Sequence, residues 1–120
     1  MGFKTILKTI VDESSGGLGA IIMGYDGISI DEYVRASSGF DVQILTVEYA
    51  SVLKEIKRTV GVLKTGELEE VSIISEKCMV VVRGISDEFF AAIILEPEGN
   101  FGKGRYLLKR EAARLREALQ

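Results

Sequence analysis

The stretch DVQILTVEYASVLKEIKRTVGVLKTG, residues 41–66, decides the fold of this chain. Its apolar residues recur at three- and four-residue steps, which is the spacing of one continuous helical stripe that faces a core. The stripe consists of Val42, Leu45, Tyr49, Val52, Leu53, Ile56, Val60 and Leu63. Asp41 can cap the start of this helix, and Gly66 can close it in the left-handed conformation. The segment therefore predicts a long helix that covers a sheet.

The N-terminal half of the same helix also carries apolar residues on its other side. Ile44 and Val47 lie nearly opposite the stripe, and the small Ser51 follows one turn later. Contiguous apolar surface that a domain leaves in water marks interaction sites. This pattern predicts a binding module that buries its second side against a partner, rather than an enzyme.

Periodic segments on both sides of the long helix complete the element order. Residues 3–11 have helical periodicity, and an Asp26-Gly27 turn joins two strands at 18–23 and 28–34. Three further strands follow at 68–75, 78–83 and 89–95, and a last helix spans 101–119. The strand at 89–95 is apolar throughout and suits a central position, whereas the more polar strand at 68–75 suits an edge. We expect a single domain over residues 1–120.

The composition indicates an ordinary compact domain. The chain has 120 residues, of which 47% are hydrophobic and 28% charged, with a single proline. One cysteine, Cys78, cannot form an internal disulfide and is expected to be a small buried strand residue. Residues 1–11 are too short and too often interrupted by polar residues for a signal peptide or a membrane span. We expect a cytoplasmic protein without membrane insertion.

The sequence contains little that supports catalysis or cofactor binding. There is no histidine, and one cysteine cannot build a cysteine-rich zinc site. Gly17-Leu18-Gly19 lacks the third glycine of a dinucleotide fingerprint, because Ile22 stands there. Residues 99–104 lack the Ser or Thr of a phosphate-binding loop. We predict no catalytic residue, no metal and no cofactor.

Charge is distributed unevenly along the chain. Residues 1–100 hold 9 basic and 16 acidic groups, whereas residues 101–120 hold 6 and 2. The basic end could follow the phosphates of a nucleic acid. However, Tyr106 is the only aromatic residue between Lys103 and Arg116, and cations near a helix C-terminus also complement its dipole. We therefore predict no nucleic-acid partner.

Several features together resemble the Roadblock/dynein-light-chain family, and its bacterial MglB-like branch most. They are the element order, the Asp26-Gly27 hairpin, the long capped helix and the closing stretch NFGKGRYLLKREAA, residues 100–113. The resemblance implies an α-β-α sandwich with a five-stranded antiparallel sheet of order 2-1-5-4-3. The long helix would lie on one face, with the first and last helices on the other. It also implies a homodimer in which the long helices lie together and the edge strand at 68–75 pairs with its symmetry mate.

Members of the MglB-like branch bind and regulate Ras-like small GTPases. The resemblance thus implies a regulatory module that modulates a GTPase cycle, as an activating protein or an adaptor, with no chemistry of its own. We expect the dimer interface at Ile44, Val47, Ser51, Val71 and Ile73 and the GTPase contact at Lys54, Glu55 and Arg58. An arginine finger could be sought among Arg35, Arg58, Arg83 and Arg105, although nothing in the sequence distinguishes one of them.

Two other functions remain open from the sequence. The first is a structural subunit of a scaffold or motor that has no effect on nucleotide turnover. The second is a small-molecule sensor, which would need a concave pocket with convergent polar groups. The densely apolar strand at 89–95 leaves little room for such a pocket.

Overall fold

The computed structural model describes residues 2–35 and 39–120 and has the predicted element order. The helices are α1 (Phe3–Glu13), α2 (Val42–Leu63) and α3 (Phe101–Ala118), and the strands are β1 (Gly17–Gly24), β2 (Ser29–Val34), β3 (Glu70–Ile74), β4 (Met79–Gly84) and β5 (Phe89–Leu95). The strands form one antiparallel sheet in the order β2-β1-β5-β4-β3. The predicted sheet order, the central β5 and the edge strand β3 are confirmed.

The sheet separates two apolar cores, because successive side chains of each strand point to opposite faces. In β5, Ala91, Ile93 and Leu95 contribute to the core under α1 and α3. The alternate residues Ala92 and Ile94 contribute to the core under α2. Burial on both faces explains why β5 is apolar at every position, and it confirms the expected α-β-α layers.

The long helix begins where the sequence predicts but ends earlier. The side chain of Asp41 accepts a hydrogen bond from the Ile44 N–H at 3.0 Å and caps the first turn. The helix stops at Leu63, because Lys64 takes the left-handed conformation with φ 56°. Gly66 also has positive φ, at 104°, but it lies two residues beyond the cap. The expectation that Gly66 closes the helix was therefore wrong.

The face of α2 that meets the sheet is narrower than the predicted stripe. Its buried residues are Val42, Thr46, Ala50 and Leu53. The Thr46 hydroxyl donates to the Val42 carbonyl at 2.7 Å, so this small polar side chain is satisfied within the helix. Small side chains at the centre of the face let the helix lie close to the sheet, and larger neighbours move to its flank. Val52 and Leu63, predicted to face the core, are exposed.

Two connections cross closely at one end of the sheet. Gly16 precedes β1 with φ 80°, and a Cβ placed on it would lie 2.6 Å from the Gly99 Cα. Two backbone bonds join the connections, from the Glu96 N–H to the Gly16 carbonyl at 2.8 Å and from the Asn100 N–H to the Ser15 carbonyl at 2.9 Å. Asn100 also caps α3 by accepting from the Lys103 N–H. The crossing therefore fixes the start of α3 relative to the end of α1.

A buried carboxylate organises the inner side of α3. The side chain of Glu111 is 3% exposed and accepts from Arg110 at 2.7 Å and from Arg114 at 2.9 Å. Arg110 also reaches Glu13 of α1 at 3.3 Å. Burial acts to raise the pKa of Glu111, but the hydrogen bonds from the two arginines outweigh it and lower that pKa below its usual range. The network ties α3 to the C-terminal end of α1.

No helix in the described ranges is long and apolar enough to cross a membrane.

Candidate interaction surfaces

The pattern of hydrogen bonds between β3 and β4 shows which backbone groups of β3 are free. The Ser75 N–H donates to the Cys78 carbonyl, and the Gly84 N–H donates to the Glu69 carbonyl, both at 3.0 Å. Hydrogen-bonded pairs alternate with non-bonded pairs in an antiparallel ladder, so the backbone groups of residues 71 and 73 face β4. The N–H and C=O groups of Ser72 and Ile74 consequently point away from the sheet.

The two edges of the sheet differ in how well they suit pairing with another strand. The β3–β4 register is unbroken from Glu70 to Ile74. The β1–β2 register shifts between Ile22 and Met23, and the irregularity leaves Ile30 outside the pairing. Such irregularities interrupt an edge and protect it from further pairing. The β3 edge is therefore the one suited to continue the sheet.

One flank of α2 leans toward the β1–β2 hairpin. The Gln43 amide donates to the Ser29 hydroxyl at 3.5 Å, and a Val47 methyl lies 3.9 Å from the position of a Cβ on Gly27. β1 and β2 lie on the opposite side of the sheet from β3. The other flank of α2 therefore faces the β3 side of the molecule.

That second flank is apolar and only partly covered. We call it the β3-side flank, and it consists of Leu45, Tyr49, Val52 and Ile56. Leu45 and Tyr49 are half-buried at the margin of the same core that half-buries Val71 and Ile73 of β3. Val52 is 54% exposed. The flank and the β3 side chains thus border one core, and the free β3 edge lies on the same side of α2 as the flank.

The five residues predicted for the dimer interface fall into two groups. The side chains of Val71 and Ile73 lie on the α2 face of β3. Ile44, Val47 and Ser51 are exposed and lie on the solvent and hairpin side of α2. The structure does not bring the two groups together in one chain, and the interface assignment stays a prediction.

Sequence reasoning missed the exposure of the β3-side flank because it assigned all of that flank to the core. Apolar periodicity alone cannot say which part of a broad stripe meets the sheet. The available signal was the pair of small residues Thr46 and Ala50, spaced one turn apart between the larger side chains. They mark the buried centre of the face that α2 turns to the sheet.

The predicted partner-binding residues lie together on the exposed C-terminal half of α2. Arg58 forms an ion pair with Glu55 at 2.7 Å, and Lys54 borders shallow depressions beside Tyr25. The neighbouring Lys57 pairs with Asp87 at 2.8 Å, and this hydrogen bond lowers the pKa of the Asp87 carboxyl. These charges are solvent-screened and weakly held, so a partner can exchange them for contacts of its own.

The arginines considered as fingers are all paired within the chain. Arg35 lies 3.7 Å from Asp12, Arg58 pairs with Glu55, Arg83 lies 3.5 Å from Glu69, and Arg105 forms a two-pronged pair with Glu70. Their geometry singles out none of them. Across residues 2–35 and 39–120, no cluster of three or more Cys, Asp and Glu side chains is arranged to hold a metal ion.

Comparison with known proteins adds a homologous relationship to this geometry. No protein-family model and no curated protein matches the chain. Among solved structures, MglC from Myxococcus xanthus is 40% identical, with 98% of each chain covered and a TM-score of 0.73. A Roadblock/LC7 domain from Streptomyces avermitilis is 15% identical over 99% of this chain and 98% of that one, with a TM-score of 0.82. The gliding protein MglB from Thermus thermophilus is 14% identical over 95% and 85%, also with a TM-score of 0.82. The last two likenesses concern the fold.

Proposed function

We propose a function for this chain, which belongs to the Roadblock/MglB-like family. It is a homodimeric module that recognises a Ras-like small GTPase and modulates the nucleotide cycle of that GTPase. Residues 1–120 form one Roadblock-like domain in this proposal. The observation that carries its dimeric part is that the partly covered β3-side flank and the free, regular β3 edge lie on the same side of α2.

Self-association covers the β3-side flank and gives the free β3 edge a partner strand at the same time. A two-fold axis beside β3 brings two β3 edges together, so that the outward groups of Ser72 and Ile74 gain partners. The same axis places the two β3-side flanks against each other and removes Val52 from water. A symmetric contact of this kind closes on itself and produces a dimer rather than a filament.

The GTPase contact is assigned to the exposed C-terminal half of α2. Support comes from the resemblance, from the 40% identical MglC, and from the cluster of Lys54, Glu55 and Arg58 at the surface. In this proposal the groups that perform hydrolysis stay with the GTPase, because the geometry singles out no arginine of this chain to stabilise the transferring phosphoryl group. This chain acts by contact, because it binds one conformation or one nucleotide state of the GTPase in preference to the others.

Nucleotide turnover by a co-encoded Ras-like GTPase, measured with and without the chain, tests the proposal. We expect the chain to change the turnover rate, and the charge-reversed double variant Lys54→Glu with Arg58→Glu to lose that effect. Lys77→Glu is the matched control, because Lys77 is an exposed cation in the β3–β4 turn at the other end of the sheet.

The outcomes separate the candidate functions. Binding that leaves turnover and exchange unchanged would assign the chain to scaffolding instead. Failure to bind the GTPase in either its GDP-loaded or its GTP-analogue-loaded form would overturn the proposed GTPase recognition.

A further inference from the structure

The end of β3 carries an apolar side chain that its own chain leaves in water. Ile74 is 66% exposed. It pairs across the ladder with Met79, which belongs to the core under α1 and α3, so Ile74 points to the face of the sheet that carries α3. Glu70 and Ser72 lie on the same face, because side chains alternate along a strand. Ile74 is therefore the apolar member of this row of β3 side chains.

An open cleft of about 400 Å³ lies on the same face, at the other end of β3. It is lined by Glu69, Glu70, Arg83, Gly102, Arg105, Tyr106 and Lys109, and we call it the α3-side cleft. Its two arginines are already paired with its two glutamates, at 2.7 Å and 3.5 Å. Its apolar parts are the Tyr106 ring and the methylene stems of Arg105 and Lys109. The cleft can thus take an apolar side chain while the exposed Lys109 ammonium stays in water.

The proposed two-fold axis restricts how two β3 strands can meet. The two β3-side flanks face each other in the dimer, so both α2 helices lie on one face of the joined sheet. The axis is therefore perpendicular to the sheet, and the two strands run antiparallel. The outward backbone groups belong to Ser72 and Ile74 and, by the same alternation, to Glu70. These residues must pair with one another, so the possible registers differ by steps of two residues.

One of these registers pairs the whole of β3. It is centred on Ser72, which lies opposite Ser72 of the second copy. Glu70 then lies opposite Ile74 on the α3 face, and Val71 lies opposite Ile73 on the α2 face. The apolar pair occurs twice and continues the core under α2.

The neighbouring registers match less well and leave part of the strand unpaired. A centre at Ile73 places Glu70 opposite Glu76 of the second copy, and like charges directly opposite each other destabilise a sheet. A centre at Val71 places the apolar Ile73 opposite Glu69. The register centred on Ser72 avoids both mismatches.

In that register each Ile74 lies beside the α3-side cleft of the other copy. Directly opposite residues in antiparallel strands have their side chains on one face, with Cβ atoms about 5 Å apart. Ile74 of the second copy consequently stands next to Glu70, and the Arg105 that binds Glu70 lines the cleft. The two-fold axis repeats this contact, so two exposed isoleucines and two open clefts are covered together.

We propose that Ile74 of each copy enters the α3-side cleft of the other copy, with the β3 pairing centred on Ser72. This inference rests on the self-association in the proposed function, and it adds a second contact on the sheet face opposite α2. The partner of the cleft is thus a second copy of this chain. Contacts on both faces of the joined sheet hold the two subunits in one relative orientation.

Disulfide cross-linking tests the register. Cys78 is first replaced by Ala, so that only introduced thiols remain. Ser72→Cys should cross-link two copies, because opposite residues lie within the Cα separation of about 4.4–6.8 Å that a disulfide spans. Ile74→Cys alone should not, because it lies roughly 14 Å along the strands from its mate. Ile74→Cys with Glu70→Cys in the same chain should cross-link again.

Substitutions test the contact with the cleft. Ile74→Ser should weaken dimerisation by about tenfold in sedimentation equilibrium, because two apolar contacts are lost. Val62→Ser is the control and should have no effect, since Val62 is equally exposed, at 65%, but lies near the end of α2 outside the β3-side flank. Tyr106→Ser should also weaken dimerisation, and its effect and that of Ile74→Ser should not add, because the two side chains share one contact. All three side chains are largely in water in one copy, so the variants should fold.

The outcomes separate this inference from the proposed self-association. A parent chain that stays at 13.1 kDa would overturn both. A parent dimer in which Ser72→Cys fails to cross-link, or Ile74→Cys cross-links with itself, would overturn the register alone. A dimer that Ile74→Ser leaves as tight as the parent would show that the cleft is not occupied by the second copy.

Discussion

At the scale of single residues, Gly16 combines a left-handed backbone conformation with too little room for a side chain. Replacement by Ala forces a Cβ into the Gly99 backbone and places a side chain at φ 80°. We expect Gly16→Ala to lower the free energy of unfolding by about 2–3 kcal/mol. Urea denaturation at one fixed protein concentration measures the change.

Gly102 provides the control for that substitution. It lies in the first turn of α3, and a Cβ there meets nothing nearer than the Asn100 side chain at 3.8 Å. Gly102→Ala should therefore be neutral or stabilise the protein by up to about 1 kcal/mol through helix propensity. If Gly16→Ala were as stable as the parent, the close crossing would not exist as described.

Glu111 makes stability depend on pH in a defined direction. Its pKa is lower in the folded chain than in the unfolded chain, so folding favours the charged form. The resulting stabilisation is fully present above the unfolded pKa, about 4.3. It is lost as the pH falls through the lower folded value. We expect Glu111→Gln to cost about 1–2 kcal/mol at neutral pH and progressively less as the pH is lowered.

Denaturation curves across the acid range check this prediction. Glu76→Gln, in the exposed β3–β4 turn, is the control and should cost little at any pH. A constant difference between the parent and Glu111→Gln across that range would contradict the ionised, arginine-bound state of Glu111.

At the scale of elements, the outward-facing backbone groups of β3 can be tested separately from those that face β4. The Ser72 N–H points outward, and its side chain is exposed. Ser72→Pro removes that outward donor while leaving the β3–β4 ladder in place, as proline is tolerated on the free side of an edge strand. We expect it to weaken dimerisation by at least about tenfold with β4 and the cores intact.

Ser72→Ala is the companion variant, because it changes the same side chain and keeps the N–H. It should dimerise like the parent in sedimentation equilibrium. Equal dimerisation of Ser72→Pro and Ser72→Ala would show that β3 does not pair with its symmetry mate.

The sequence was sufficient to predict where the helices and strands lie, but not how α2 is rotated about its own axis. Strong periodicity and turn residues located every helix and strand, and the uniformly apolar Phe89–Leu95 predicted the central strand. The family resemblance supplied the order of the sheet. The orientation of α2 could not be predicted in the same way, because it depends on how closely Thr46 and Ala50 approach strands distant in sequence. The burial of Glu111 was likewise missed, since periodicity treats a carboxylate as a surface residue.

At the scale of the whole molecule, α2 separates two surfaces of different character. Its β3-side flank lies on the same side as the free edge of β3, and its other flank contacts the first hairpin. In the proposed dimer the first surface is covered by the second copy, and the hairpin flanks of the two α2 helices lie at the outer sides. The C-terminal half of α2 remains open for the GTPase. Self-association thus sets how the two GTPase contacts of the dimer are placed relative to each other.

The mass of the purified chain in light scattering, followed through serial dilution, tests the proposed self-association. We predict a species of about twice the 13.1 kDa of one chain at micromolar concentrations. The Ser72→Pro variant should shift toward the single-chain mass over the same range. A stable 13.1 kDa particle at every concentration would contradict the account, because the β3 edge and the β3-side flank would then remain uncovered.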